Sequence, residues 1–96
     1  MAIPSSFKDE LVARSDIVDV VSDYVTLTPK GGSYWGLCPF HGEKTPSFHV
    51  LPDRQLYHCF GCGKGGGVVS FVMEMENLPF LDALRLLAKR AGMEFP

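Results

Sequence analysis

Apolar residues recur at helical spacing in two short stretches at the beginning of the chain. Phe7 and Leu11 predict the buried side of a first helix. Ile17, Val20 and Val21 predict the buried side of a second, shorter helix. The outer sides of both stretches are polar and acidic, as expected of helices that pack on one side and face solvent on the other.

From residue 24 the apolar positions alternate with polar ones, which is the period of a strand. This pattern predicts a strand over residues 25–29 and a returning strand over residues 34–37, joined by a turn that contains glycines. A second hairpin is predicted from residues 47–51 and 55–60. The middle of the chain is therefore expected to form antiparallel strands.

A cluster of glycines over residues 61–67 separates the strands from a second helical region. Val68, Phe71 and Val72 mark the apolar side of a third helix, which stops near Asn77. A fourth helix follows, and Gly92 is its expected C-terminal cap, since glycine readily adopts the left-handed conformation found there. Both helices are expected to pack against the strands.

Length and composition describe a small globular protein. Its 96 residues correspond to a single domain, 1–96, and a chain this short would gain stability from a structural metal. No apolar run is long enough to span a bilayer, and the N-terminus lacks the apolar core of a signal peptide. We therefore expect a cytoplasmic protein without a membrane partner.

Charge is unevenly distributed, although the net charge is only −2. Residues 1–29 carry two basic and five acidic side chains, whereas residues 30–64 carry four basic and two acidic ones. Three thiolates bound to a divalent ion would offset part of the positive charge in the middle segment. Charge alone therefore gives little support for a nucleic-acid partner.

Two pairs of candidate metal ligands lie near the ends of the predicted hairpins. The segments Cys38-Pro-Phe-His41 and Cys59-Phe-Gly-Cys62 each separate their ligands by two residues, so that a tight turn can direct both side chains to one ion. Two such pairs complete a tetrahedron and leave no position for water. The pattern predicts one structural zinc ion held by Cys38, His41, Cys59 and Cys62.

Two alternatives compete with this assignment. Cys59 and Cys62 could form a redox Cys-x-x-Cys pair, but no parallel-sheet pattern precedes them and a second ligand pair lies nearby. His49 and His58 could supply the imidazole ligand, but alternation directs His58 to the sheet face opposite Cys59. We expect each of these histidines to be on the surface or hydrogen-bonded.

At these motifs the sequence resembles a known family. The segment Gly-Leu-Cys-Pro-Phe-His-Gly-Glu-Lys-Thr-Pro-Ser-Phe over residues 36–48 and Tyr-His-Cys-Phe-Gly-Cys-Gly over residues 57–63 closely resemble the N-terminal zinc-binding domain of bacterial DNA primase, the DnaG type. Residues 16–20 and 70–73 also fit, so the resemblance covers nearly the whole chain.

The resemblance implies an α+β fold, a zinc ribbon with an antiparallel sheet of about five strands and flanking helices. It implies a domain that engages the single-stranded DNA template and assists initiation of RNA primer synthesis in DNA replication. In that family a separate polymerase domain binds Mg²⁺ and carries the nucleotidyltransferase activity, and a further C-terminal domain meets the replicative helicase of the primosome. We therefore expect a fragment of a longer primase that is not an enzyme by itself.

Single-stranded DNA is bound by basic groups along its phosphates and by aromatic rings on which bases stack. Tyr34 is the first choice for a stacking ring, whereas alternation places Trp35 on the opposite face of the sheet. Phe40, Phe60 and Phe71 are expected in the core. The full set of DNA-binding candidates is Lys30, Tyr34, Lys44, Thr45, Ser47, Phe48, Arg54, Tyr57 and Lys64.

A protein-interaction module that docks mainly on the primase polymerase domain is the alternative function. The acidic first helices and the amphipathic last helix could supply its surface. A stand-alone enzyme is not expected, because the sequence contains no nucleophile–base pair and no paired carboxylates of a catalytic site. The glycine cluster contains Lys64 but lacks the Gly-Lys-Ser/Thr ending of a phosphate-binding loop.

Overall fold

Helices and strands alternate in blocks along the chain. The computed structural model describes residues 3–41 and 45–96. Within them, the elements are α1 (Ser5–Arg14), α2 (Ile17–Ser22), β1 (Thr28–Lys30), β2 (Ser33–Gly36), β3 (Phe48–Leu51), β4 (Leu56–Cys59), β5 (Gly65–Gly66), α3 (Val68–Glu76) and α4 (Phe80–Ala91). No helix in these two ranges is both long and apolar enough to cross a membrane.

The five strands form one antiparallel sheet in chain order, β1-β2-β3-β4-β5. This arrangement confirms the fold class implied by the resemblance. One row of directly paired residues crosses all five strands and consists of Thr28, Trp35, His49, His58 and Gly65. We call the side of the sheet that carries this row the open face, because the helices contact the other side.

The core lies between the sheet and the helices. Helix α2 contacts β3, and α3 contacts β4 and β5. Phe48 and Val50 of β3 and Phe71 of α3 are fully buried there. Helix α4 packs against α1 and α3 and buries Leu84 and Leu87. The predicted apolar sides of α2 and α3 are confirmed, and Gly92 caps α4 in the left-handed conformation.

Strand β1 begins later than the alternating pattern predicted. The expected strand covered residues 25–29, but the observed strand is Thr28–Lys30 and is exposed throughout. Val25 is buried in the core before the strand begins. The side chain of Val25 therefore belongs to the connection between α2 and β1. Pro29 is tolerated within β1 because β1 is an edge strand, which can lack one N–H donor.

Strand β5 lies inside the glycine cluster, where no strand was predicted. Gly66 has a φ of +151°, and a Cβ atom there would lie 2.9 Å from the Cβ of Ser70. A Cβ on Gly65 would lie 3.0 Å from the backbone oxygen of Tyr57. Strand β4 leaves no room for a larger residue at Gly65, and α3 leaves none at Gly66, so the apolar pattern that reveals other strands is absent.

Gln55 connects the turn between β3 and β4 to the start of α2. Its Oε1 accepts a hydrogen bond from the Ile17 N–H at 2.9 Å. Its Nε2 donates to Oδ1 of Asp16 at 2.9 Å and to the carbonyl oxygen of Pro52 at 2.8 Å. Gln55 also has a φ of +54°, which is uncommon outside glycine. The side chain therefore joins a helix end to the sheet.

Replacing Gln55 with alanine should lower the free energy of unfolding by about 1–3 kcal/mol, because the partly buried N–H of Ile17 loses its acceptor. Urea unfolding measures this change. Arg54→Ala is the matched control, since Arg54 is an exposed neighbour in the same turn, and it should change stability by no more than about 0.5 kcal/mol. Equal effects of the two substitutions would show that the hydrogen bonds of Gln55 contribute nothing.

Candidate metal centre

The two predicted ligand pairs meet at one end of the sheet. Cys38 lies two residues beyond β2, and Cys59 is the last residue of β4. Strand β3 lies between them, since Phe48 pairs with Gly36 on one side and with Cys59 on the other. The ligand atoms of four residues lie within 4.8 Å of one another, those of Cys38, His41, Cys59 and Cys62. We call these four residues the metal cluster.

The spacing of these atoms fits a four-coordinate zinc ion. The Sγ atoms of Cys38 and Cys62 are 3.8 Å apart, and Cys59 Sγ is 3.8 Å from His41 Nδ1. A tetrahedron with Zn–S bonds of about 2.3 Å separates two sulfurs by about 3.8 Å and a sulfur from a nitrogen by about 3.6 Å. Three thiolates and one imidazole are also an established ligand set of structural zinc sites. The cluster therefore has both the donors and the geometry for one zinc ion.

Hydrogen bonds to sulfur favour the thiolate that a metal requires. Burial opposes ionisation of Cys59, but the Ser47 hydroxyl and backbone N–H groups of the second ligand pair outweigh it and lower the pKa of the thiol to about 7. Burial raises the pKa of the Cys38 thiol to about 11, although the N–H of Phe40 reaches its sulfur at 3.4 Å. A divalent cation deprotonates the thiols that coordinate it.

The two competing histidines lie on the open face, away from the metal cluster. His49 and His58 are paired across β3 and β4, with ring centroids 5.8 Å apart. His49 is only 7% exposed, and within the described residues its Nδ1 has no hydrogen-bond partner. Burial and the neighbouring His58 lower the pKa of His49. His49 is buried, so the expectation of a surface position is wrong for it.

An aromatic stack covers His49 on the open face. The rings of Trp35 and Phe60 lie 4.7 and 4.8 Å from the His49 ring, at interplanar angles of 25° and 16°. Trp35 and Phe60 are themselves 6.0 Å apart at an angle of 21°. Phe60 is 65% exposed. The aromatic stack, Trp35, His49 and Phe60, therefore presents a flat ring to solvent.

The structure reverses the predicted roles of several aromatic residues. Phe48 and Tyr57 are 0% and 2% exposed, so neither ring has a free side on which a base could stack. Tyr34 lies on the covered side of the sheet, partly buried against the core. Phe60 was expected in the core and is largely exposed. The alternation of side chains along a strand correctly placed Tyr34 and Trp35 on opposite faces of the sheet. It could not show which face the helices cover.

The basic candidates differ in how far their charges are neutralised. Lys64 forms an ion pair with Glu74 at 3.0 Å and lies 5.8 Å from the ring centroid of Phe40. Lys30 on β1 and Arg54 in the turn after β3 are exposed. Neither takes part in an ion pair within the described residues. Lys30 and Arg54 are therefore the better placed of the three for an anionic partner.

The remaining polar candidates have different positions. Ser47 directs its hydroxyl toward Cys59 Sγ at 3.6 Å, so its observed contact is with the metal cluster. Thr45 is exposed. The predicted DNA contact of Lys44 lies outside the described residues.

A family model described as the CHC2 zinc finger matches residues 3–96. The chain belongs to this family. Relatives of this CHC2 zinc finger include the DNA primase of Pseudomonas putida, 57% identical over 94 residues, and that of Geobacillus stearothermophilus, 50% identical over 92 residues. These matches cover 98% and 96% of this chain but only 14% and 15% of the relatives. The chain thus spans about one seventh of the length of these relatives.

A solved primase structure has the same fold as this CHC2 zinc finger. The crystal structure of the Aquifex aeolicus primase, which comprises its zinc-binding and RNA polymerase domains, matches with a TM-score of 0.89 and 43% identity. The match covers 100% of this chain and 23% of that chain. The resemblance to the zinc-binding domain of bacterial DNA primase is confirmed. The family and the Cys3His cluster together support a structural zinc.

Proposed function

We propose that this zinc-binding domain engages the single-stranded template of a DNA primase and assists initiation of RNA primer synthesis in DNA replication. The observation that carries the proposal is the aromatic stack on the open face, where Phe60 is 65% exposed. Exposed rings on a sheet are the platforms on which single-stranded bases stack. The relatives named DNA primase agree with a template as the ligand.

The zinc in this proposal is structural. Cys38, His41, Cys59 and Cys62 would provide four protein ligands, which leaves no coordination position for water or substrate. Zinc supplies no catalytic step here. Its coordination would join the segments that follow β2 and end β4, and would thereby hold Phe60, the neighbour of Cys59, above the open face.

In this proposal, a few separate basic side chains attract the phosphates of the DNA. Lys30 and Arg54 would contact phosphates, because the described structure leaves their charges without acidic partners. Lys44 adds a third positive charge by sequence. Three phosphate contacts correspond to a slope of about −2 in the logarithm of affinity against the logarithm of salt concentration, at roughly −0.7 per contact. Binding to free DNA should therefore be weakly salt-dependent.

In this proposal, other domains of a longer primase carry out nucleotidyl transfer and bind the further partners. A polymerase domain would bind Mg²⁺ and carry out nucleotidyl transfer, and another domain would contact the replicative helicase within the primosome. Such a protein would work in the cytoplasm. The zinc-binding domain would contact the template, and its zinc would hold the contact surface rigid.

Phe60→Ala should weaken binding of a short single-stranded DNA by about 1–3 kcal/mol, since it removes a ring on which a base stacks. The salt slope should not change. Arg54→Gln should do the opposite, flattening the slope by about 0.7 with a smaller loss of affinity. Fluorescence anisotropy of a labelled oligonucleotide, repeated over several salt concentrations, measures both quantities.

Leu81→Ala is the control for these measurements. Leu81 is an exposed apolar residue, 44% accessible, on α4 rather than on the sheet. It should bind DNA like the parent protein. If Phe60→Ala and Leu81→Ala bind DNA equally well, the template does not lie on the open face and the proposal fails.

Docking on the polymerase domain is the second candidate function, and one observation favours it. Phe80 and Leu81 lie next to each other at the start of α4 and are 40% and 44% exposed. Leu81→Asp should weaken binding to a separately purified polymerase domain and leave DNA binding unchanged. Docking is the main function if the parent protein binds the polymerase domain but not DNA and Leu81→Asp loses the binding to the polymerase domain.

A further inference from the structure

A cleft of about 630 Å³ lies beside the aromatic stack, at the edge of the sheet formed by β1 and β2. Thr28 and Lys30 line it from β1, and Trp35 lines it from β2. Leu37 and Pro46, which flank the first pair of metal-cluster residues, complete the apolar part of its wall. Its volume is within the range of small-ligand sites, roughly 300–1,000 Å³.

The lining combines an aromatic plane, an apolar wall and one positive charge. Leu37 is 50% exposed although it is a large apolar residue. Lys30 has no ion-pair partner within residues 3–41 and 45–96. No acidic residue is among the described residues that line the cleft. A flat, uncharged ring attached to an anion is the ligand that satisfies all of these groups.

We propose that this cleft binds one unstacked base of the single-stranded template, between Trp35 and the wall formed by Leu37 and Pro46. The adjoining phosphate lies on Lys30. This inference rests on the proposed function and adds to it a pocket for a single base. Trp35 belongs both to the cleft and to the aromatic stack, so one DNA strand can stack on Phe60 and place the next base in the cleft.

The charge of the cleft favours a nucleotide within a strand over a free nucleoside triphosphate. A phosphodiester carries one negative charge, which Lys30 alone can balance. A triphosphate carries several, and among the lining residues that the structure describes Lys30 is the one cation. The ligand of the cleft is therefore assigned to the template strand.

Abasic scanning tests this assignment. A short oligonucleotide carries one abasic site, which is moved position by position, and binding to the zinc-loaded chain is followed by the fluorescence of Trp35, the single tryptophan. One position should show a loss of affinity of about fivefold or more on base removal, as expected when a stacked base is lost. At that position, removal of the base should also abolish most of the change in Trp35 fluorescence.

Two variants and a matched control test whether the base at the sensitive position of the oligonucleotide lies in the cleft. Leu37→Ala removes part of the apolar wall, and Thr28→Tyr fills the cleft from β1, a strand that contains no residue of the metal cluster. Both should reduce the penalty of base removal to less than about twofold at the sensitive position and leave zinc content unchanged. Leu56→Ala, which truncates an exposed leucine elsewhere on the sheet, should retain the full penalty.

The outcomes separate this inference from the proposed function. If DNA binds but no abasic position is sensitive, or if the penalty is the same in Leu37→Ala and Leu56→Ala, the cleft does not bind a template base. If a free nucleoside triphosphate changes Trp35 fluorescence in a Leu37-dependent manner while the DNA scan is flat, the assignment to the template is overturned. If no single-stranded DNA binds at all, both the proposed function and this inference fail.

Discussion

Replacing Cys59 with serine should release the zinc and unfold the ribbon. Cys59 is fully buried and ends β4, so its loss removes a ligand and the connection between two strands. Structural zinc contributes on the order of 10 kcal/mol in small zinc-dependent folds, which is comparable with the total stability of about 5–15 kcal/mol of a typical domain. Zinc analysis of the purified protein and thermal unfolding by circular dichroism measure the two effects.

His58→Ala is the matched control for this substitution. His58 directly precedes Cys59, and its side chain lies on the open face, away from the metal cluster. This variant should keep one zinc per chain and a cooperative unfolding transition. A Cys59→Ser protein that retains stoichiometric zinc and the melting behaviour of the parent would remove Cys59 from the ligand set.

The candidate metal cluster could be found from the sequence because its information is local. Cys38 and His41, like Cys59 and Cys62, are each held in one tight turn, and the turn itself requires the two-residue spacing. Only the meeting of the two turns depends on tertiary structure. The sequence also places both pairs near the ends of the predicted hairpins, and the structure brings all four ligand atoms within 4.8 Å of one another.

The choice between the two faces of the sheet could not be made from local information. Alternation shows that Tyr34 and Trp35 point in opposite directions, but both are aromatic and either could face the core. The packing of α2 and α3 decides the question, and it places Tyr34 on the covered side. For the same reason the sequence predicts DNA contacts for Phe48 and Tyr57, and this prediction conflicts with the burial of both rings.

One signal in the sequence could have identified the open face. Trp35, His49 and His58 lie on the same face of three neighbouring strands, and all three are amphipathic rings rather than aliphatic side chains. The residues on the other face include Val50, which is typical of a core. The exposure of Phe60 could not be inferred in this way. Phe60 lies in the turn between Cys59 and Cys62, where the two-residue alternation of a strand does not apply.

Replacing Phe71 with alanine should have the second largest effect, lowering the free energy of unfolding by about 3–5 kcal/mol. Phe71 is fully buried in α3. Its ring contacts four aromatic neighbours with centroid distances between 5.4 and 6.2 Å, namely Tyr24, Phe40, Phe48 and Tyr57. The cavity would open between the sheet and α3, among these rings. Denaturant unfolding at fixed zinc concentration measures the loss.

Phe60→Ala provides the comparison, since it deletes the same side chain from a 65% exposed position and should cost less than about half as much. The two variants should also differ in zinc retention. Phe40 lies between Cys38 and His41, and its ring is 5.8 Å from that of Phe71, so a cavity at Phe71 loosens the first ligand turn. Phe71→Ala should therefore lose zinc faster to a competing chelator than Phe60→Ala does. Equal rates of zinc loss would show that the aromatic core does not support the metal cluster.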